Sequence, residues 1–247
     1  MASTSETGHL KNVNHLEDLI SFCTGFGGAY HPSNPAIQLT ALTDLLTNAR
    51  TELTNVNQKL TDYANVNHAR QLKFANLKKL STRLVNALAA SGTNEKTLEM
   101  AKSINKKLQG TRVDKKDTPP PPENDQPAEK DKSISVSQQS YGQLAEHFSK
   151  LIILLQSEPL YNPNEDDLKL TTLNTLLTEL NTNNSLVVNA LTEIKNARLK
   201  RNDLFYLSAN NLHKIVLDVK MYVKSIFGAT SPQYKQISGL KFTSLKV

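Results

Sequence analysis

The chain has 247 residues, enough for one or two domains with a buried core, and its 29 Lys and Arg against 23 Asp and Glu give a net charge of +6. Hydrophobic residues at 38% and charged residues at 21% mark a globular chain rather than a disordered one, and 6% aromatics with no tryptophan leave few stacking platforms for bases or sugars. One cysteine, Cys23, excludes an internal disulfide and an all-cysteine metal site.

In chain order, the first expected helix covers about 10–23 and closes at Gly25-Phe26-Gly27-Gly28. Asn34 can then cap a helix with Pro35 at its first position. Residues 36–91 hold neither Gly nor Pro, and Asn65-Val66-Asn67 is polar enough to turn, so one long helix and a helical hairpin both stand. Gly92 is expected as a left-handed cap, with Thr93 or Asn94 opening a helix over about 95–109. Five of the ten prolines fall between Asp117 and Pro127, so 113–133 reads as a Pro-rich charged linker. A helix over about 138–157 follows. Asn164 can cap the next one ahead of Glu165, Asp166 and Asp167. Residues 164–227 again lack Gly and Pro, with Asn181-Thr182-Asn183-Asn184-Ser185 as the polar spot. Gly228 is the expected cap, and Ser231-Pro232 restarts a short helix.

The two halves are related. A single ungapped offset places Tyr30, Pro32, Arg70 and Phe74 on Tyr161, Pro163, Arg201 and Phe205, and Val85 on Val216. Leucines and threonines match between them, from Leu39 on Leu170 to Thr61 on Thr192. The reading is a tandem duplication: helical repeat 1 over 1–112, the linker over 113–133, and helical repeat 2 over 134–247. Leu42, Leu46, Leu53, Val56 and Leu60, and then Leu173, Leu177, Val187 and Leu191, recur with heptad-like spacing as a helix-packing seam. The expected fold class is all-α: two tandem pseudo-equivalent repeats whose long heptad-patterned helices form an elongated bundle.

Arg70 and Arg201 are charged residues at matching seam positions, each one helical turn before a Phe. Three readings stand: side chains that snorkel to solvent over the Phe, ion pairs that fix register, or an anion site. Lys73, Lys78, Lys79 and Arg83, and Lys195, Arg198, Lys200 and Arg201, are basic clusters without a base-reading motif, as on any solvated helix face. Gly25-Phe26-Gly27-Gly28 lacks the strand and spacing of a phosphate loop. The six histidines show no metal-ligand spacing, and Cys23 reads as a small apolar residue. No catalytic, cofactor or metal residues are assigned.

Tyr30-His31-Pro32-Ser33-Asn34-Pro35, Arg83-Leu84-Val85-Asn86-Ala87-Leu88 and Phe227-Gly228-Ala229-Thr230-Ser231-Pro232-Gln233-Tyr234-Lys235 resemble, as a set, a family of uncharacterised duplicated helical proteins of Bacteroidetes. The resemblance spans nearly the whole chain. It implies a bacterial origin and a helical fold, and carries over no activity or functional residue.

The function expected is that of a non-enzymatic helical scaffold or assembly protein that binds itself or bridges protein partners, with no cofactor and no small-molecule substrate. The alternatives are a membrane-active, pore-forming-like helical protein, with Leu151 to Leu155 and Phe22 to Phe26 as its apolar elements, and a weakly basic nucleic-acid-associated protein. Neither apolar run approaches the roughly 20 residues of a membrane span, and no signal-peptide pattern opens the chain, so the expected location is cytoplasmic.

Overall fold

The computed structural model describes residues 7–110 and 139–244, and among them regular structure is helical with no strand. The all-α expectation therefore holds. The helices are α1 (Thr7–Gly25), α2 (Leu39–Phe74), α3 (Leu77–Ala90), α4 (Glu95–Gln109), α5 (Tyr141–Gln156), α6 (Leu170–Asn202), α7 (Leu212–Phe227) and α8 (Pro232–Ser238). None of the described helices is long and apolar enough to cross a membrane. The linker expected over 113–133 lies outside the described residues.

Several helix ends follow local chemistry. The side chains of Asn94, Ser140, Asn211 and Ser231 accept the backbone N–H three positions on, each satisfying one orphan donor of the first turn. Gly92 and Gly228 leave α3 and α7 at φ +81° and +85°, where a Cβ would be strained. Two starts differ from expectation. Asn34 caps a 3-10 turn, Pro35–Ile37, and α2 opens only at Leu39. Glu165, not Asn164, precedes the matching turn, Asp166–Leu168, ahead of α6. Each turn is tied down by a buried tyrosine: Tyr30 Oη donates to the Ile37 carbonyl at 2.6 Å, and Tyr161 Oη to the Leu168 carbonyl at 2.8 Å.

Neither polar spot is a turn. Helix α2 runs unbroken through Asn65-Val66-Asn67 and α6 through 181–185. The breaks fall later, at Ala75-Asn76 and, beyond a π-helical turn at Asp203–Leu207, at 208–211.

The described residues form two compact units, one from Met1–Tyr63 with Ala190–Val247 and the other from Ala64–Asn189. These borders lie inside α2 and α6, unlike the sequence division at 112 and 134. The reason is where apolar faces find cover. In the first unit α1 and the start of α2 share a core with α7 and α8, through Leu16, Leu19, Leu42, Phe205, Val219 and Ile237. In the second, α3 and α4 pack on α5 and the start of α6, through Leu84, Leu88, Leu108, Phe148, Leu155 and Leu173. Each compact unit thus draws chain from both stretches.

The seam residues divide by burial. Leu42, Leu46, Val56, Leu173 and Val187 are buried, Leu53, Leu60 and Leu177 are half-buried, and Leu191 is 39% exposed. On α6 burial follows Leu173, Leu180, Val187, Ile194 and Arg201, one in every heptad. Leu177 and Leu191 share one heptad position four residues past this stripe, and there burial falls from half-buried to exposed.

Candidate functional site

Arg70, on α2 in the second unit, is held by an aromatic ring. Its guanidinium carbon lies 4.2 Å from the centroid of Tyr141 on α5, and Tyr141 meets Phe74 edge-on at 4.8 Å. Nη2 donates to Asn67 Oδ1 at 2.7 Å, while the buried Nε has no hydrogen-bond partner. The contact is cation–π, and no described carboxylate lies within ion-pair distance of Arg70. Arg201, in the first unit, is buried, and its Nε and Nη2 donate to Asn202 Oδ1 at 3.1 and 2.8 Å. Phe205, one turn on, meets His9 edge-on at 5.7 Å.

Burial shifts three groups of the kind that do covalent or acid–base chemistry. Burial pushes the Cys23 thiol up to about 12 against a smaller opposing effect of its hydrogen bond with Tyr30, so it stays protonated and a poor nucleophile. The Tyr30 hydroxyl is raised by the same burial. His147 on α5 is buried, with Nε2 unpartnered, and desolvation followed by Lys107 and Lys150 holds it below the ordinary histidine range. Among the described residues no cluster of His, Cys, Asp or Glu could hold a metal ion.

The basic clusters are partly neutralised on the surface. Lys73 pairs with Glu179 at 2.8 Å, Arg83 forms a two-pronged pair with Asp167, and Lys78 donates to the Gln109 carbonyl. Lys195 and Lys200 are exposed on α6. Gly27, at φ +59°, belongs to the 3-10 turn that ends the α1 connection, with no strand before it among the described residues.

Two surface features carry no sequence signature. In the first unit, a shallow cavity of about 320 Å³ sits against the π-helical turn, with Tyr206, Leu207, His213, Lys214 and Leu217 in its wall. Leu207 and Leu217 are exposed, and Met221 is exposed one turn further along α7. Helical spacing of Leu217 and Met221 was visible in the sequence, but not which face of α7 the core would take. In the second unit, a cavity of about 490 Å³ lies between α3 and the loop before α6, lined by Arg83, Asn86, Ala87, Ala90 and residues 160–165. The apolar elements considered for a membrane are core: Leu151, Ile152, Leu155 and Cys23 are buried, although Ile153 is exposed.

Comparison of the chain with protein-family models, with curated proteins and with solved structures finds no match.

Proposed function

We propose that this protein is a non-enzymatic helical scaffold, built from two duplicated halves and acting through helix-mediated self-association in the cytoplasm. The observation that carries the proposal is the apolar group formed by Leu207, Leu217 and Met221 at the π-helical turn and on the outer face of α7. Apolar side chains gathered beside a concavity, with His213 and Lys214 in its wall, suit a protein contact. Light scattering over a concentration series tests it. The wild type is expected to gain mass with concentration, and Leu217→Asp with Met221→Asp to remain monomeric with an unchanged melt at low concentration. A wild type that stays monomeric throughout removes the self-association.

Three sets of paired features support the duplication. The offset that carries Tyr30 onto Tyr161 also carries the Tyr30–Ile37 hydrogen bond onto Tyr161–Leu168, and the buried Leu42, Ala49 and Val56 onto the buried Leu173, Leu180 and Val187. Lengthened by one position, it carries the buried Val13, Leu16, Leu19 and Cys23 of α1 onto Ala145, Phe148, Leu151 and Leu155 of α5, buried likewise. Lengthened by four, it carries the buried Leu77, Ser81, Leu84 and Leu88 of α3 onto Leu212, Val216, Val219 and Val223 of α7. The four extra positions enter between Phe205 and Leu212, over the end of the π-helical turn and the break at 208–211. Val216 then answers to Ser81 and not to Val85. The two Arg–Phe pairs fall into the same scheme, with Tyr141 and His9 as the aromatic rings against Phe74 and Phe205. By the same alignment Leu217 and Met221 answer to the polar Thr82 and Asn86, so the apolar group proposed for self-association belongs to one half only.

A further inference from the structure

We infer that the cavity between α3 and the loop before α6 is a binding site for a phenolic ring. The inference rests on the duplication, because the first unit displays what the same place looks like when filled. There Tyr222 of α7 stands edge-on to Tyr30, with ring centroids 5.4 Å apart, and its hydroxyl oxygen accepts the backbone N–H of His31 at 3.2 Å. Tyr222 is thus a phenol carried by α7 against the tyrosine–proline loop, and Pro32 of that loop is buried.

The second unit repeats the receptor without the ring. Tyr161 and Asn162 answer to Tyr30 and His31, with Tyr161 pinned by the same hydroxyl-to-carbonyl bond. By the alignment that sets Leu84 on Val219 and Leu88 on Val223, the counterpart of Tyr222 is Ala87. A methyl group stands where the other unit places a phenol, and the cavity of about 490 Å³ opens there, with Ala87, Ala90, Tyr161, Asn162 and Pro163 in its wall. Two further differences follow from the missing ring. Pro163 is only half-buried where Pro32 is buried, and the backbone N–H of Asn162 donates to no group among the described residues. A bound phenol would stand edge-on to Tyr161 and accept that N–H through its oxygen, as Tyr222 does beside Tyr30. Arg83 at the rim is already paired with Asp167, so the ring needs no charge of its own. Two sources supply such a ring: a free small phenol, or a tyrosine side chain carried on another polypeptide.

The test follows the amide ¹⁵N–¹H resonance of Asn162 in the full chain during titration with p-cresol and, separately, with N-acetyl-tyrosinamide. Saturable shifts at millimolar probe are expected, the range open to a fragment of this size in a shallow site. Saturation with p-cresol alone assigns the site to a free phenol, and tighter binding of N-acetyl-tyrosinamide assigns it to a tyrosine on a chain. Ala87→Tyr should fill the cavity, abolish both titrations and raise the melting temperature by about 2–4 °C. In the reciprocal experiment Tyr222→Ala should lower the melting temperature and open a second site, where p-cresol shifts the His31 amide and restores part of the loss. If Ala87→Tyr stabilises the fold while neither probe moves Asn162 in the wild type, the ligand site is wrong and the duplication stands. If Ala87→Tyr destabilises the fold and Tyr222→Ala gains no p-cresol response at His31, the equivalence of α3 and α7 fails, and the proposal with it.

Discussion

His147 is buried on α5 with Nε2 unpartnered, and the charged groups acting on it are Lys107 of α4 and Lys150 and Glu146 of its own helix. Burial and the two lysines disfavour its cation, which Glu146 only partly offsets, so the folded state holds its pKa below the unfolded value near 6.5. The linkage sign is fixed: a depressed folded pKa contributes stability that is fully present above the unfolded pKa and lost as pH falls through the folded one. The wild type should therefore lose stability as pH drops below about 6.5, and His147→Leu should flatten that part of the curve, read from urea midpoints at several pH values. An equal slope in both proteins would assign the acid sensitivity elsewhere. The leucines make a second contrast at this scale. Leu46 is buried and Leu191 is 39% exposed, although both sat on the seam read from the sequence. Leu46→Asp should cost about 3 kcal/mol or more in urea unfolding, because it adds an unpaired buried charge to the lost apolar burial, and Leu191→Asp under about 1 kcal/mol.

The helical class and many helix limits were legible because they rest on local chemistry: Asn94, Ser231, Gly92 and Gly228 do at the ends of α3, α4, α7 and α8 what their side chains and backbones favour. The breaks within 36–91 and 164–227 were not. The polar runs left a turn open beside a continuous helix; in α6 Thr182 Oγ1 donates to the Thr178 carbonyl and Asn183 Nδ2 to the Glu179 carbonyl, so these side chains satisfy themselves on the preceding turn and the helix continues. The actual breaks carry no Gly or Pro and precede the positions where Leu77 and Leu212 turn into the core. Two asparagines stand just before these leucines, and they differ. Asn211 accepts the Lys214 N–H, whereas Asn76 makes no capping bond. Asn211→Ala is expected to cost about 1 kcal/mol and to lower amide protection in the first turn of α7. Asn76→Ala should be close to neutral in the same hydrogen-exchange and urea measurements. Equal costs would mean that packing, and not the cap, sets both starts. Arg70 shows the same limit at a site: its place one turn before Phe74 was readable, but the ring it stacks on, Tyr141, belongs to α5, with α3 and α4 lying between them in the chain.

For the whole molecule, the offset that sets Tyr30 on Tyr161 was readable because the matching residues stand in the sequence itself, but an apolar stripe does not say which other stripe will cover it. Each compact unit combines chain from before residue 112 with chain from after residue 134. The first unit's core joins Leu16 and Leu42 to Phe205 and Val219, and the second joins Leu84 and Leu108 to Phe148 and Leu173. Covalent continuity through the Pro-rich stretch is thus not what holds either core together. Cutting the folded chain at a protease site inserted at Pro120-Pro121 should leave two fragments that co-elute on gel filtration and separate only in denaturant. Joining the fragments covalently matters for the effective concentration at which the two stretches meet, so the melting temperature of the nicked protein should fall more steeply on dilution than that of the intact chain. Fragments that part under native conditions, each with its own cooperative melt, would mean that 1–112 and 134–247 fold as separate bodies. Retention of both fragments in one particle would instead make the two stretches obligate partners, each lacking half the apolar cover of either core on its own.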